Sequence, residues 1–448
     1  MKNIIVIALI LLGSISCKKF LDEKPDKKLV VPETLRDMQA LLDYYNATSL
    51  SDPIADEISA DNYYLYTTTW QASLKETERR AYTWGEDIFE TAANDWSYVY
   101  RKVYYANTVL EGLQKIERNT GNSSEWDNIK GQALVIRAKA FLQAVNTWSV
   151  AYDDATAQTD MGIPLRLNTD FNEPATRPSV QQTYDQLTGD FKEALPLLAA
   201  TQVSATRPSK AAAYGLLARA YMSMRNYDKM GVYADSALQV NNTLLNYNSL
   251  NAAASLPIPA FNTELMLWTT AFQTPLTFAN AKVDTVLYRS YAANDCRKTI
   301  FFNINTDGSI AYKGTYIASN NSLFTGIATD EVYLMRAEAS ARAGNTAAAL
   351  TDLNKLLQMR MKTGTFTPAT AANSASALSL VIAERRKELP FRGLRWMDIK
   401  RLNKEGAGII LTRFINNTTY KLQPNEHRYA LPIPQYVIDM SGMPQNPR

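Results

Sequence analysis

Histidine occurs once in the 448 residues, as His427. A single imidazole excludes a three-histidine zinc centre, an HExxH pair and a two-histidine, one-carboxylate iron site. It would also have to serve any serine–histidine–aspartate triad, and no GxSxG elbow accompanies it. Cysteine occurs only at Cys17 and Cys296, too few for a four-cysteine zinc or iron–sulfur site. An excess of one charge is missing as well: 47 Lys+Arg against 44 Asp+Glu leave +3. So balanced a chain has no bulk field to draw it onto nucleic acid, and no long basic run supplies one locally. Beyond the N-terminus no stretch approaches the ~18 uninterrupted apolar residues of a membrane span. What is present is a globular composition, 46% hydrophobic and 10% aromatic.

The N-terminus reads as an address. Lys2 precedes an apolar run over 4–12 (IIVIALILL), then Gly13, Ser14, Ile15, Ser16 and Cys17. The run is too short to span a bilayer, which needs ~20 residues, and suits a secretory signal. A small residue directly before Cys17 suggests a bacterial lipoprotein signal over 1–16, with Cys17 as the acylated first residue of a mature chain 17–448. Several acyl chains at ~0.8 kcal/mol per buried methylene would make such an anchor stable.

Internal repeats come next. In 213–238, Leu217, Ala218, Tyr221, Tyr227, Ala237 and Leu238 fall where a tetratricopeptide hairpin alternates large and small residues. Arg225 stands where glycine is usual. In 333–357, Ala337, Gly344, Ala349, Leu353 and Leu357 take equivalent places. Weaker helical spacing runs through 131–148 and 95–118. These hairpins are unevenly spaced. Residues 151–178 read as a long loop, and 240–325 lack helical periodicity and carry strand-like runs such as TVLYRSY. The predicted architecture is mainly α, a tetratricopeptide-like scaffold over about 30–150, 180–240 and 328–402, with loop-rich segments at about 50–90 and 240–325.

The last third is the most specific. Glu384, Arg385, Glu388 and Leu389 lead into Phe391, Gly393, Arg395, Trp396, Asp398, Lys400 and Arg401; Pro432-Ile433-Pro434 and a terminal Gln445-Asn446-Pro447 follow. This resembles the ER-x-x-EL-x-F-x-G-x-R-W-x-D-x-K-R signature and PIP…QNP ending of the SusD/RagB family, surface lipoproteins of Bacteroidetes that capture nutrients. Segments 131–165 and 333–354, and Lys19-Phe20-Leu21-Asp22, agree. Arg392 and Met397 depart from the usual Glu and aromatic. The resemblance implies one SusD-like domain, an outer-membrane, cell-surface location with a lipid anchor through Cys17, and a SusC-like TonB-dependent transporter as partner. It implies neither enzyme activity nor a cofactor or metal.

Glu384 and Glu388, four apart on one helix, could do acid–base work in principle. A buried ion network binding the C-terminal helix to its neighbours is the expected role, with Trp396 as packing and His427 at the surface. A sugar site needs flat aromatic faces and a few polar groups that orient hydroxyls. Residues 61–70 (DNYYLYTTTW) concentrate both, in a pattern that is not helical. The expected ligand-binding residues are Asp61, Asn62, Tyr63, Tyr66, Trp70, Trp84 and Tyr291, with Tyr288 and Asp295 as further candidates. The expected function is capture of oligosaccharides and their delivery to the transporter. Capture of peptides by the same fold, a tetratricopeptide scaffold lipoprotein and a surface glycosidase are the alternatives.

Overall fold

Two turns show how the scaffold is built. In the computed structural model, which describes residues 32–72, 74–272 and 276–448, the helices of eight residues or more are α1 Leu35–Leu42, α2 Asp95–Leu113, α3 Ser123–Trp148, α4 Val180–Ala194, α5 Lys210–Ser223 and α6 Tyr227–Val240; then α7 Thr329–Arg342, α8 Thr346–Gln358, α9 Ser374–Glu388 and α10 Arg395–Lys404. The signal over 1–16, Cys17 and the match at 19–22 lie outside the described residues.

Between α7 and α8, Gly344 sits at φ +83° and Asn345 caps the next helix by accepting from the Ala348 amide at 3.0 Å. Between α5 and α6, Arg225 takes φ +60° and Asn226 accepts from the Lys229 amide at 3.2 Å. Both turns close the same way. The asparagine amide reaches back to Tyr221 at 2.9 Å and to Ser340 at 2.8 Å, and the residue before it to Met222 and Ala341. This is a helix stop that needs a left-handed residue. Arg225 meets that need without being glycine, and its guanidinium donates to the Tyr152 carbonyl at 2.7 Å.

The hairpins α2–α3, α5–α6 and α7–α8 are joined by α3 on α4 and by α6 on α7. Where α6 crosses α7, a Cβ on Gly231 would meet that of Ala339 at 2.9 Å, so the helices approach as closely as glycine allows. One hydrophobic cluster runs from Ile54 to Met443 and includes Phe141, Trp148, Leu217, Tyr333 and Trp396.

The segment between α6 and α7 is built from short antiparallel pairs. Leu265–Leu267 pairs with Ile327–Ala328, Thr270–Phe272 with Ser322–Phe324, and Phe302–Ile304 with Ile310–Tyr312. Lys282–Val283 instead pairs with Tyr63–Tyr64, which ties the insertion to the N-terminal segment. The strand expected at TVLYRSY is a short helix, Thr285–Arg289. Asp284 accepts from the Leu287 amide at 2.8 Å and starts it. The end of 61–70, a stretch expected to be non-helical, also enters a short helix, Thr67–Ala72, with no buried side chain.

Candidate functional site

Tyr63–Tyr64 alternates as a strand does, so successive rings point to opposite sides. Tyr63 and Leu65 turn inward, at 3% and 4% exposure, while Tyr64 and Tyr66 turn outward. The Tyr64 and Tyr66 rings meet edge to face at 5.8 Å. The Tyr66 hydroxyl donates to Asp307 at 3.2 Å, and the Lys282 ammonium lies 5.9 Å from its ring centroid. One helical turn on, Trp70 packs partly against the core, with the Arg79 guanidinium 5.9 Å from its ring and its indole N–H directed at the Arg79 carbonyl, 3.4 Å away. Gln71 donates to Asn416 at 2.9 Å, and the Asn416 amide donates to Thr67 at 3.1 Å. Asn416 heads the turn of the hairpin Leu411–Ile415/Thr418–Leu422. The result is a face of partly exposed aromatic rings framed by a carboxylate, an ammonium and two amides. Such a face can stack on a flat apolar surface and hydrogen-bond its polar edge.

Two family models match the chain. The one described as "Starch-binding associating with outer membrane" covers residues 19–222, and that of the SusD family covers 329–448. The chain belongs to the SusD/RagB family. Proteins of this family are outer-membrane associated. Among the described residues no helix is long and apolar enough to cross a membrane. No curated protein matches the SusD-family chain. Solved structures share its fold. A SusD superfamily protein from Bacteroides thetaiotaomicron is 20% identical, with 93% of this chain and 100% of that one covered and a TM-score of 0.71. A SusD-like carbohydrate binding protein from Bacteroides vulgatus is 19% identical, with 91% and 96% covered and a TM-score of 0.67. Surface glycan-binding protein A from Bacteroides uniformis is 16% identical, with 92% and 99% covered and a TM-score of 0.72.

Within this SusD-family chain the expected stacking surface is corrected at several positions. Trp84 is 2% exposed and its indole N–H donates to the Ser59 carbonyl at 3.0 Å. The Tyr63 hydroxyl donates to the Ile58 carbonyl at 2.8 Å. Both rings belong to a buried box around Arg413, whose guanidinium lies 4.9 Å from Tyr63, 4.0 Å from Tyr82 and 5.5 Å from Trp84. That guanidinium donates to the carbonyls of Ile58, Ala60 and Tyr63. The Asn62 side chain is buried and donates to Glu57 at 2.7 Å. Tyr291 is 1% exposed, its hydroxyl donating to the Lys387 carbonyl at 2.6 Å.

Asp61 is a strut. Its carboxylate accepts from Arg395 at 2.6 and 2.9 Å and from Arg386 at 2.8 Å, fastening α9 and α10 to the strand segment. Burial opposes its ionisation, but the two guanidiniums hold its carboxyl well below the usual range. Asp295 is buried too, paired with Arg297 at 2.6 Å. Tyr288 is half-buried, edge-on to Phe302 at 5.5 Å. Of the expected residues, Tyr66 and Trp70 therefore remain on an open face. Strand periodicity within NYYLY was the signal that sorts Tyr63 from Tyr64 and Tyr66. Lys282, Asp307, Gln71 and Asn416 carried no local signal, because four separate segments bring them together.

The signature residues form a buried ion network. Arg297 is paired with Asp295, with Glu384 at 2.5 Å and with Glu388 at 2.6 Å. Arg360 joins Glu388 at 2.7 Å to Glu264 at 2.8 Å. Asp398 accepts from Arg385 at 2.9 Å and Arg401 at 2.8 Å, and Arg401 continues to Glu338. Burial pushes Glu388 up to about 7, against the pull of Arg360 and Arg297. The indole of Trp396 is fully buried and His427 is exposed.

Proposed function

We propose that this is a cell-surface binding protein, lipid-anchored through Cys17, that captures oligosaccharides and delivers them to a SusC-like TonB-dependent outer-membrane transporter. It acts by binding and carries out no chemistry on its ligand. The observation that carries the reading is the open pair of rings, Tyr66 and Trp70, set on a SusD-like scaffold beside Asp307, Lys282 and the Gln71–Asn416 amide pair. Pyranose C–H faces stack on such rings while neutral amides and a carboxylate meet their hydroxyls. The carbohydrate- and glycan-binding descriptions of two proteins with this fold support the same choice of ligand.

Glycan and peptide arrays probed with the purified protein test it. Retention of glycans is the expected result; retention of peptides only would overturn it. Calorimetric titration of Trp70→Ala and Tyr66→Ala with a retained glycan then tests the face. Truncating a stacking ring of this kind costs about 2 kcal/mol, some 30-fold in affinity, and the exposed Tyr66→Ala variant should keep its melting temperature. Mass spectrometry of the native protein should show an acylated Cys17 as its first residue.

A further inference from the structure

A second aromatic site stands apart from the face just described and shares no residue with it. Along α2, Trp96, Tyr100 and Tyr104 follow one another four residues apart, so their rings line up on one side of the helix. Trp96 and Tyr100 lie 4.7 Å apart. The loop after α3 crosses this side and lays Phe171 on Tyr104, 5.1 Å between centroids and 27° between planes. Together they wall a cleft of about 230 Å³ that also reaches Asn168 and Arg166. Phe171 is 78% exposed and Tyr104 38%. Scattered exposed apolar side chains need no explanation; two stacked ones at the mouth of a cleft do.

The loop that holds Phe171 in water is firmly built. Thr169 gives its amide and hydroxyl to Glu111 at 2.8 and 2.6 Å. Asn107 on α2 donates to the carbonyls of Arg166 and Asn168 at 2.9 and 3.0 Å, and is itself gripped by Arg137 at 3.0 Å. Arg166 closes the loop on the carbonyls of Asp170 and Glu173. Its guanidinium is the one charged group lining the cleft among the described residues, and no carboxylate in the lining offsets it. The cleft therefore offers aromatic walls, a rim of amides and a hydroxyl already hydrogen-bonded within the loop, and one cation.

We propose that this cleft is a second carbohydrate site that takes a single pyranose unit of a glycan chain, stacked on Tyr104 and Phe171. The proposal rests on the reading of the protein as a glycan binder. The cleft is smaller than the roughly 300–1,000 Å³ of a pocket for a drug-sized ligand, which suits one ring. Two separate sites on one chain let a polysaccharide engage at both, and linkage raises the overall avidity without new contacts.

The test uses the full mature chain and neutral glycans selected on the array, with cellohexaose, xylohexaose, maltoheptaose and mannohexaose as soluble probes. The variants Phe171→Ala, Tyr104→Ala and Trp70→Ala are titrated calorimetrically, with thermal melting as the folding control. Phe171→Trp is the variant that keeps a stacking ring in place. The expected result is that Phe171→Ala and Tyr104→Ala weaken one class of site about tenfold or more, that Phe171→Trp retains it, and that Trp70→Ala weakens a different class. Unchanged affinity and stoichiometry in Phe171→Ala and Tyr104→Ala, with binding lost in Trp70→Ala, would overturn the second site and leave the proposed function standing. A wild-type protein that retains no glycan on the array would end both readings.

Discussion

Replacing Arg297 by methionine removes the centre of the buried ion network and leaves its carboxylates in place. Arg297 is fully buried, and its guanidinium serves Asp295 at 2.6 and 2.9 Å, Glu384 at 2.5 Å and Glu388 at 2.6 Å. Glu384 keeps Lys387 at 2.6 Å and Glu388 keeps Arg360 at 2.7 Å, but Asp295 loses its cation and is left with the amide of residue 297, at 2.9 Å. Breaking a buried pair by removing one partner costs ~3–5 kcal/mol, because a charge stays behind without compensation. The loss should depend on pH. In the native protein burial opposes ionisation of Asp295, and Arg297 holds it below the usual range all the same. Without Arg297, burial is left to raise that carboxyl above its unfolded value. The folded variant then binds a proton that the unfolded chain lacks, so its deficit shrinks as pH falls through the carboxylate range. Urea unfolding followed by tryptophan fluorescence at pH 7.5 and pH 5 measures both. The double variant Asp295→Asn/Arg297→Met should recover part of the loss. A deficit below ~1 kcal/mol, the range of exposed pairs, or one equal at both pH values, would refute the reasoning. The exposed pair Arg118–Asp127 is the control: Arg118→Met should leave the midpoint where it is.

Trp84→Ala should cost ~3–5 kcal/mol in the same assay, since its indole fills the box around Arg413; a small loss with reduced glycan binding would return it to the ligand face. Gly344→Ala places a side chain at φ +83° and should cost ~1–2 kcal/mol, whereas Arg225→Gly, at the equivalent turn, should change stability far less; comparable losses would show that the two turns are not equivalent. Lys400 is pushed down to about 7 by burial, its ammonium donating to the carbonyls of Asn146 and Ser149. Between pH 7 and 10.5 the unfolded chain therefore holds a proton that the folded one has lost, and stability gains from rising pH. Lys400→Met should remove close to one proton from that slope, ~1.4 kcal/mol per pH unit, and an identical slope would count against it. Burial likewise lifts Glu57 to about 7, so acidification from pH 7 towards 4.5 should strengthen its contribution, a term absent from Glu57→Gln.

Family, helical scaffold and the hairpin turns were readable from the chain because their information is local. A tetratricopeptide hairpin is fixed by small residues a few positions apart and by a turn such as Gly344-Asn345, and the signature of α9 and α10 lies within one stretch. A buried ion network was also the expected role of Glu384 and Glu388. Arg297, Arg360 and Glu264, which complete that network, come from the insertion and from the residues after α8, and have no periodicity to announce them. The ligand face shows the same division. Composition marked 61–70 as aromatic and polar, but which rings face water was decided by pairing with Lys282–Val283 and by Arg413 arriving from a hairpin some 350 residues on. An indole such as Trp84 has the same sequence neighbours whether it is a platform or a core ring. Only the tertiary structure, by placing a guanidinium over it and a carbonyl at its N–H, settles that it is core. Phe171 is the converse case. The sequence marks 151–178 only as a long loop, and Phe171 becomes half of a stacked pair only where that loop folds back across α2.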